Sequence, residues 1–327
     1  MKPKILMTRA VFPDVIDYLS EHFEVESNQE DRMFDDAELV QRMQNKDGLY
    51  CNSSQRVSAA IIDACPSMRA IANMAVGYNN IDLAAATRAG IPVTNTPDVL
   101  NETTADFAWA LLMATARRVT EAEHFLRAGK WEKWCFDGFL GADVHGATLG
   151  ILGMGRIGQA IAHRSRGFDM RVIYHNRSPL PEHEEHDANY AQWVSKEELL
   201  KQSDHLILVL PYSAETHHAI GAAELALMKP GATLINIARG GIVDDQALIA
   251  ALRAHKIAAA GLDVYENEPA LHADFLQLSN VVLTPHIASA SAPTRRAMAY
   301  CAADNLIVAL QGKSPPNLLN PEVQQRA

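Results

Sequence analysis

The sequence predicts an α/β protein with two domains, each organised around a parallel β-sheet. The chain has 327 residues, which is more than one domain of typical size contains. Short β-type runs alternate with helical stretches along most of the chain, an order that gives βαβ units. In addition, a glycine-rich segment near the middle follows one of these runs and opens a helix.

The composition is typical of a globular protein from a reducing compartment. Hydrophobic residues make up 48% and charged residues 21% of the chain, which excludes disordered, collagen-like and coiled-coil proteins. Acidic residues outnumber Lys and Arg by 39 to 29, giving a formal charge of −10, so we expect neither nucleic acid nor a membrane surface as a partner. The four cysteines form no CxxC pair, which argues against a disulfide framework or zinc site. No apolar run reaches the ~18 residues of a membrane span, and we expect a cytoplasmic protein.

The first predicted domain, a substrate domain, covers residues 1–98. Its β-type runs are residues 5–8, 23–25, 49–52, 70–76 and 93–96. The last helical pattern, residues 292–310, follows the second series of strands. Because only the second series contains a nucleotide fingerprint, we expect residues 288–327 to return to the first domain and complete it.

A stretch rich in Ala and Leu follows the first series and covers residues 101–128. It is longer than a crossover helix needs to be. We predict a long linking helix that joins the two domains or lies at an interface.

The second predicted domain, residues 99–287, contains six further β-type runs with helices between them. They are residues 149–152, 171–175, 205–210, 233–237, 258–264 and 281–284. This pattern predicts a doubly wound sheet.

A GxGxxG segment follows the first of these runs and begins the next helix, which is the context that a dinucleotide-binding fingerprint requires. Gly153 permits the tight turn, Gly155 lets the backbone approach a pyrophosphate, and Gly158 allows close packing of helix on strand. Arg156 and Ile157 open the helix, whose N-terminal N–H groups we expect to face the phosphates. The segment therefore predicts a bound dinucleotide.

The end of the next strand indicates which dinucleotide is preferred. An NAD-binding chain usually has an Asp or Glu there to accept the ribose 2′-hydroxyl, but this chain reads His-Asn-Arg-Ser at residues 175–178. Asn176, Arg177 and Ser178 could bind a 2′-phosphate with no acid to repel it. We predict NADP(H) as the preferred cofactor and leave NAD(H) as the alternative.

Polar residues follow three strands of the second series, at the sheet edge where ligands of such folds bind. They are Arg239, Glu268 and His286. Reduction of a 2-oxo acid by hydride needs a cation to hold the carboxylate and an acid to protonate the carbonyl oxygen, tasks that suit arginine and histidine. A carboxylate beside the imidazole would orient it. Each residue alone is more often part of a salt bridge or a helix cap than a catalyst.

The order of the motifs resembles the D-isomer-specific 2-hydroxyacid dehydrogenase family. GxGxxG is followed by N-I-A-R-G-G at 236–241, G-L-D-V-Y-E-N-E-P at 261–269 and P-H-I at 285–287, and residues 74–82 and 96–105 match as well. Within the family, residues 143–145 and 175–177 are most similar to glyoxylate/hydroxypyruvate reductases of the type that also reduces 2-ketogluconate.

The resemblance implies a Rossmann-type dinucleotide domain inserted into a flavodoxin-like substrate domain. It implies that Arg239, Glu268 and His286 are the catalytic residues. It also implies that the substrate is held by the backbone at Val76 and Gly77 together with Arg239 and His286.

Further roles follow from the same resemblance. Asp263 would hydrogen-bond the nicotinamide amide, and the other expected cofactor contacts are Thr104, Leu210, Pro211, Thr216 and Ala238. A homodimer is expected, in which an aromatic side chain after the long helix reaches the neighbouring subunit's site. The candidates are Trp131, Trp134 and Phe139, for which ordinary packing is an equal alternative.

The function implied is NADPH-preferring reduction of glyoxylate and hydroxypyruvate, with 2-ketogluconate as an open third substrate, to D-2-hydroxy acids. The alternatives are a family member acting on phosphoglycerate, phosphite or another 2-hydroxy acid, and a dinucleotide-sensing protein similar to a transcriptional corepressor. Ala288 replaces a glycine that is common in the family, which leaves the size of the pocket there open.

Two histidine-rich segments resemble metal sites but are better interpreted as solvated surface. Residues 183–186 read His-Glu-Glu-His in a charged loop and lack the HExxH spacing. His217 and His218 receive the same interpretation. No metal is expected in the reaction, since the nicotinamide supplies the hydride.

Overall fold

The computed structural model describes residues 1–326, and the chain divides into two compact units. One unit contains Met1–Leu100 and the chain from Ala290 onward, and the other contains Asn101–Ser289.

The first unit is built on a five-stranded parallel sheet with the strand order β2-β1-β3-β4-β5, which is the flavodoxin-like order. Its elements up to the first boundary are β1 (Lys4–Met7), α1 (Pro13–His22), β2 (Glu24–Ser27), α2 (Asp36–Met43), β3 (Gly48–Cys51), α3 (Ala59–Ala64), β4 (Ala70–Asn73), α4 (Leu83–Arg88) and β5 (Val93–Thr94).

Local sequence explains the elements of this sheet. β3 and β4 are buried along their whole length, because a parallel sheet is covered by helices on both faces and its inner strands are therefore continuously apolar. Asp35 caps α2 by accepting a hydrogen bond from the Glu38 N–H, and Asp82 caps α4 in the same way through Ala85.

The second unit contains a seven-stranded parallel sheet with the order β12-β11-β10-β9-β6-β7-β8. Its elements are α5 (Asn101–Ala116), α6 (Val119–Arg127), β6 (Thr148–Leu152), α7 (Arg156–Arg164), β7 (Arg171–His175), α8 (Glu182–Asp187), β8 (Gln192–Trp193), α9 (Lys196–Gln202), β9 (His205–Leu208), α10 (Ala222–Leu227), β10 (Thr233–Asn236), α11 (Asp245–Arg253), β11 (Ala259–Leu262) and β12 (Val281–Leu283). Counted from β6, the order is 3-2-1-4-5-6-7, which is the Rossmann order extended by one strand. The predicted fold class is confirmed.

The predicted long helix at 101–128 is wrong in one respect, because the structure has two helices there. α5 ends at Ala116 and α6 starts at Val119, and Arg118 between them has a left-handed φ of 53°. The carbonyl of Ala116 accepts a hydrogen bond from the N–H of Ala142. A loop segment thus satisfies a carbonyl that a continuous helix would have used.

The prediction also missed one strand, β8. It has two residues, both exposed, and pairs with β7 at the edge of the sheet. Such a short strand leaves no apolar pattern from which it could be found.

α5 is buried on most sides within the second unit, with Ala105, Ala108 and Leu112 fully covered. Trp109 stacks on Phe168 with ring centroids 4.7 Å apart and donates its indole N–H to the Ile161 carbonyl at 3.0 Å. These contacts fix α5 against α7 and against the strands that lead to the carboxyl edge of the sheet.

The last long helix, α12 (Ala292–Leu310), has the bounds that the sequence pattern predicts and belongs to the first unit. It packs against β3 and β4, and its Ala299 carbonyl accepts a hydrogen bond from the buried Tyr50 hydroxyl at 2.9 Å. The remaining short elements are 3₁₀ turns at Ser165–Phe168, Ala273–Gln277 and Pro321–Arg326. Within residues 1–326, no helix is both long enough and apolar enough to cross a bilayer.

Candidate active site

Arg239, Glu268 and His286 lie on the turns that follow β10, β11 and β12, three neighbouring strands of the second sheet. In a parallel sheet the carboxyl ends of all strands meet at one edge. The strand order therefore places these three residues at the same edge, although up to 47 residues separate them in the chain.

The turn that carries Arg239 is organised by the buried Asn236. Its side-chain oxygen accepts from the Ala238 N–H at 3.1 Å, and its side-chain nitrogen donates to the Arg239 carbonyl at 3.2 Å. The next residue, Gly240, is pressed against a neighbouring loop, since a Cβ built there would lie 1.7 Å from the Tyr265 carbonyl oxygen. No residue other than glycine fits without moving one of these loops.

The Arg239 side chain is partly buried and donates one hydrogen bond to the Ala238 carbonyl at 2.7 Å. Burial lowers the pKa of Arg239, and the negative charge of Glu268 opposes that effect. An arginine pKa starts far enough above neutrality for the guanidinium to stay charged. The structure therefore presents a cation next to the Glu268 carboxylate.

Glu268 and His286 form a hydrogen-bonded pair. The Nδ1 atom of His286 lies 2.8 Å from Oε2 of Glu268, and the other carboxylate oxygen accepts from the Tyr265 N–H at 2.9 Å. Burial raises the pKa of Glu268, but the hydrogen bond and charge of His286, the Tyr265 N–H and the Arg239 charge outweigh it and lower the pKa overall. Glu268 is thus a carboxylate near neutral pH, and it fixes the orientation of the imidazole.

Asp263 holds the turn on which His286 lies. Its fully buried carboxylate accepts from the Thr284 hydroxyl at 2.7 Å and from the N–H groups of Ile287 and Ala288 at 2.8 Å each. Burial raises the pKa of Asp263, and these three donors partly oppose that rise. His286 itself has a left-handed φ of 54°, a conformation that such a set of backbone contacts can maintain.

Sequence reasoning assigned Asp263 to the cofactor and did not foresee this contact with the His286 turn. It also missed Asn236 and Tyr265 as organisers of the site. The motif letters give no indication of the Asp263 contact, because its bonds join segments about 20 residues apart, or of the Tyr265 contact, because it uses the backbone N–H that every non-proline residue carries. Asn236 bonds residues two and three positions on, a local turn that an asparagine at the end of a strand can indicate.

The glycine-rich turn has the geometry that its motif predicts. Gly153 has a φ of +104°, and a Cβ there would lie 2.8 Å from the Leu210 nitrogen. A Cβ on Gly158 would lie 2.4 Å from the Gly153 carbonyl oxygen, so close packing requires glycine. A Cβ on Gly155 would meet nothing within 4 Å. The protein itself therefore leaves the space beside Gly155 open, as a pyrophosphate at the start of α7 would require.

Two of the predicted cofactor contacts, Thr104 and Asn176, differ in whether the side chain already has a partner within the protein. Thr104, on the first turn of α5, is 5% exposed, and its hydroxyl has no hydrogen-bond partner among the described residues. Asn176 accepts from the Met154 N–H at 2.7 Å, so its side chain braces the glycine turn. Arg177 and Ser178 are exposed beyond it, and Arg156 and Ile157 open α7.

The loop after β9 contains the remaining predicted cofactor contacts of this edge. The Thr216 hydroxyl donates to the Pro211 carbonyl at 2.9 Å and accepts from the Ser213 N–H at 2.7 Å. It therefore closes the loop that begins at Leu210. Ala238 is buried beside Arg239.

Val76 and Gly77 lie in the first unit, after β4. Their carbonyl oxygens accept hydrogen bonds from the side chains of Asn95 and Asn73, at 2.9 and 3.0 Å. The peptide segment is thus held by two asparagine side chains.

The aromatic candidates after α6 differ in exposure. Trp131 and Trp134 are 62% and 75% exposed, and the neighbouring Phe136 is 85% exposed. Phe139 packs on Phe125 within the same unit, with ring centroids 5.1 Å apart.

The family model described as D-isomer specific 2-hydroxyacid dehydrogenase, NAD binding domain, matches residues 109–288. Among curated proteins, the chain is 50% identical to a glyoxylate reductase of Thermococcus gammatolerans, covering 99% of this chain and 97% of that protein. It is 49% identical to a glyoxylate reductase of Thermococcus kodakarensis, at 99% and 98% coverage.

Solved structures give the same result. A putative D-isomer specific 2-hydroxyacid dehydrogenase from Polaromonas superposes with a TM-score of 0.90 at 36% identity, covering 98% of this chain and 100% of the other. The NADPH-dependent glyoxylate/hydroxypyruvate reductase of Sinorhizobium meliloti, in complex with NADP and malonate, superposes with a TM-score of 0.87 at 35% identity, covering 99% and 98%.

Proposed function

The chain belongs to the D-isomer-specific 2-hydroxyacid dehydrogenase family and is an oxidoreductase, and from this premise we propose that it reduces glyoxylate and hydroxypyruvate with NADPH. The products are the corresponding 2-hydroxy acids, of D configuration where C2 becomes a stereocentre. One observation carries the proposal: His286 is paired with Glu268 at 2.8 Å, and the Arg239 charge acts on the same carboxylate. Relatives with nearly full-length similarity at about half identity are glyoxylate reductases.

The three residues divide the work on a 2-oxo acid. Arg239 binds the substrate carboxylate and polarises the oxo group with its planar guanidinium. His286 faces Glu268 with Nδ1, so Nε2 is the nitrogen that donates a proton to the carbonyl oxygen as C2 is reduced. Glu268 keeps the ring oriented through its contact with Nδ1. A bound nicotinamide supplies the hydride that C2 receives.

Val76 and Gly77 of the first unit are proposed as substrate-binding residues, as membership of the family implies. Asn95 and Asn73 hold the carbonyl oxygens of these two residues, so the local backbone is preorganised. Backbone N–H groups fixed in this way are suitable donors to a carboxylate.

NADPH preference is proposed from the end of β7. Asn176 braces the glycine turn, which leaves the exposed Arg177 and Ser178 as the side chains to meet a 2′-phosphate. Gly155 and the partnerless hydroxyl of Thr104 fit a dinucleotide at the start of α7. The similar enzyme from Sinorhizobium meliloti was solved with NADP.

A homodimer is proposed from the loop after α6. Trp131, Trp134 and Phe136 are each more than 60% exposed, an amount of aromatic surface that typically marks an interface. A second copy of the chain is the proposed partner. Sedimentation of a monomer at micromolar concentration would contradict this.

The function is tested by following NADPH absorbance after addition of glyoxylate, hydroxypyruvate or 2-ketogluconate, and by repeating each assay with NADH. We expect turnover with the first two acids and a higher kcat/KM with NADPH. Absence of turnover with every 2-oxo acid would refute the proposed reaction. A higher kcat/KM with NADH would refute the cofactor preference alone.

A further inference from the structure

His217, His218 and Glu266 form a cluster that the proposed reaction does not use. One ligating atom from each residue can be chosen so that all three lie within 4.8 Å of one another. His218 Nε2 is 2.5 Å from Glu266 Oε1, and the two imidazole rings stack with centroids 3.9 Å apart. The sequence alone favours solvated surface for the two histidines, because Glu266 lies 48 residues away in the chain.

The backbone brings the three side chains together. His217 donates its N–H to the Ser213 carbonyl at 2.9 Å, and His218 donates to the Gly241 carbonyl at 2.7 Å. His218 has a left-handed φ of 50°, a conformation in which consecutive side chains need not point to opposite sides, as they do in a strand. Both rings therefore project towards Glu266.

The donor atoms of this cluster suit a divalent metal ion of intermediate softness. Two imidazole nitrogens and one carboxylate oxygen are the donors of many zinc sites, which have metal–ligand distances of about 2.0–2.2 Å. In a tetrahedron of that size the ligand atoms are about 3.4 Å apart. Side-chain rotations that move each ligating atom by a few tenths of an ångström to about one ångström would bring the three atoms to that spacing. Calcium and magnesium, which prefer oxygen ligands, fit poorly.

The neighbouring carboxylates of Asp244 and Asp245 favour a positive charge at this cluster. Asp244 Oδ2 lies 3.9 Å from Nδ1 of His218, on the ring nitrogen opposite the one that faces Glu266. A carboxylate behind a ligating imidazole fixes the ring and raises its basicity. Asp245, the first residue of α11, accepts a hydrogen bond from the Glu266 N–H at 3.3 Å.

We propose that His217, His218 and Glu266 bind one Zn²⁺ ion per chain, with Asp244 as an outer-shell carboxylate and the fourth position open to water. His217 and His218 are both exposed, so the ion enters from solvent. The bound ion joins the loop after β9 to the loop after β11. It therefore stabilises the folded second unit without taking part in hydride transfer.

The test uses the full chain, freed of metal with a chelator and then titrated with Zn²⁺ by calorimetry and with Co²⁺ by visible absorption. We expect one saturable site per chain and the intense visible bands of four-coordinate Co²⁺. His218→Gln and His217→Gln should each weaken Zn²⁺ binding at least about tenfold. Asp244→Asn should weaken it less. Zn²⁺ should also raise the midpoint of thermal unfolding.

The double variant His183→Gln/His186→Gln is the matched control. It removes two exposed histidines from α8, the segment whose letters resemble a metal site but which forms no such cluster among the described residues. We expect its Zn²⁺ affinity to equal that of the parent chain. Binding that is unsaturable, or that persists undiminished in both His217→Gln and His218→Gln, would overturn the proposal. Both side chains are exposed, so we expect each variant to fold. Circular dichroism of each variant will distinguish a loss of Zn²⁺ binding from a loss of folded structure.

Discussion

Glu266 and Glu268 lie two residues apart on one loop, and each carboxylate is paired with an imidazole. Glu268 is 2.8 Å from His286, and Glu266 is 2.5 Å from His218. The side-chain exposures are also alike, at 32% and 35% for the first pair and 28% and 37% for the second. Neither the pairing nor the burial distinguishes a catalytic pair from another use of the same groups.

The two histidine–glutamate pairs differ in the charged group that lies next to each of them. The positive charge of Arg239 acts on Glu268, so the first pair lies beside the group that we propose to bind the substrate carboxylate. The second pair lies beside another imidazole, His217, and the Asp244 carboxylate, a set of neighbours that suits the proposed cation. A histidine–carboxylate pair thus acquires its chemistry from the charge placed next to it.

The sharpest test exchanges each histidine for asparagine. His286→Asn retains a hydrogen-bonding group towards Glu268, but its amide protons are not acidic enough to be transferred to the substrate, so kcat should fall by roughly 100-fold or more. His218→Asn should have a much smaller effect on kcat. Steady-state kinetics with glyoxylate and NADPH provides the measurement, and near-normal turnover of His286→Asn would remove that residue from the proposed mechanism.

Arg239→Lys tests the neighbour that defines the first pair. The charge is kept, but the planar fork that binds a carboxylate through two hydrogen bonds is lost. Losing one charge-assisted hydrogen bond costs about 1.5–3 kcal/mol, so kcat/KM should fall roughly 10- to 150-fold. Zn²⁺ binding should stay as in the parent chain. An unchanged kcat/KM would contradict the proposed role of the guanidinium.

Gly240→Ala should disturb both pairs at once. A Cβ at this position would lie 1.7 Å from the Tyr265 carbonyl oxygen and 2.7 Å from the Glu266 nitrogen, so the peptide bond that leads into Glu266 must move. Overpacking of this kind costs about 1–3 kcal/mol of unfolding free energy. Chemical denaturation measures that loss, and the same variant should lose activity and Zn²⁺ affinity together.

Gly231→Ala is the matched control, because a Cβ at Gly231 would meet nothing within 4 Å and its φ lies outside the left-handed range. We expect its unfolding free energy to change little. If Gly240→Ala were as stable and active as this control, the loop at Tyr265 would move away from the added Cβ at little cost in free energy.

Arg177→Ala tests whether the dinucleotide beside the first pair carries a 2′-phosphate. Loss of a charged hydrogen bond should raise the KM for NADPH by about tenfold or more, with a smaller change for NADH. Arg171→Ala is the control, since Arg171 bonds Gln202 and Gln192 at the exposed start of β7, at the opposite end of the strand that Arg177 follows. Equal effects on both cofactors would assign Arg177 a general role in binding.

The sequence predicted well where a feature depends on local pattern. Apolar runs identified the strands that are buried on both faces, such as β3 and β4, and the glycine spacing identified the turn at Gly153. It failed where geometry depends on distant partners. Arg118 interrupts a helical pattern while a loop residue takes up the Ala116 carbonyl, and Glu266 meets His218 across 48 residues. Nor did the sequence indicate that Asp263, which stays a predicted cofactor contact, accepts hydrogen bonds from the turn of His286.

A third histidine, His205, is held by hydrogen bonds to neutral groups rather than by a paired carboxylate. It shows how burial changes the pKa of an imidazole in such surroundings. His205 is fully buried, with Nδ1 2.8 Å from the Thr233 hydroxyl and Nε2 3.1 Å from the Asp143 carbonyl. The carbonyl can only accept, so Nε2 carries the proton and Nδ1 accepts from Thr233. Burial lowers the pKa of His205, and the Asp143 carbonyl and the Asp204 charge oppose this only in part.

The sign of the resulting pH dependence follows from linkage. Below the ordinary histidine pKa of 6.5, the unfolded chain binds a proton at this position that the folded chain does not, so acid favours unfolding. The contribution is fully present above pH 6.5 and is lost by up to about 1.4 kcal/mol per pH unit as the pH falls below it. His205→Gln should therefore be less stable at pH 8, because it disturbs two buried hydrogen bonds, yet its unfolding free energy should fall less steeply between pH 6.5 and 5. Urea denaturation across that range measures both slopes, and parallel slopes would show that His205 titrates alike in the folded and unfolded chain.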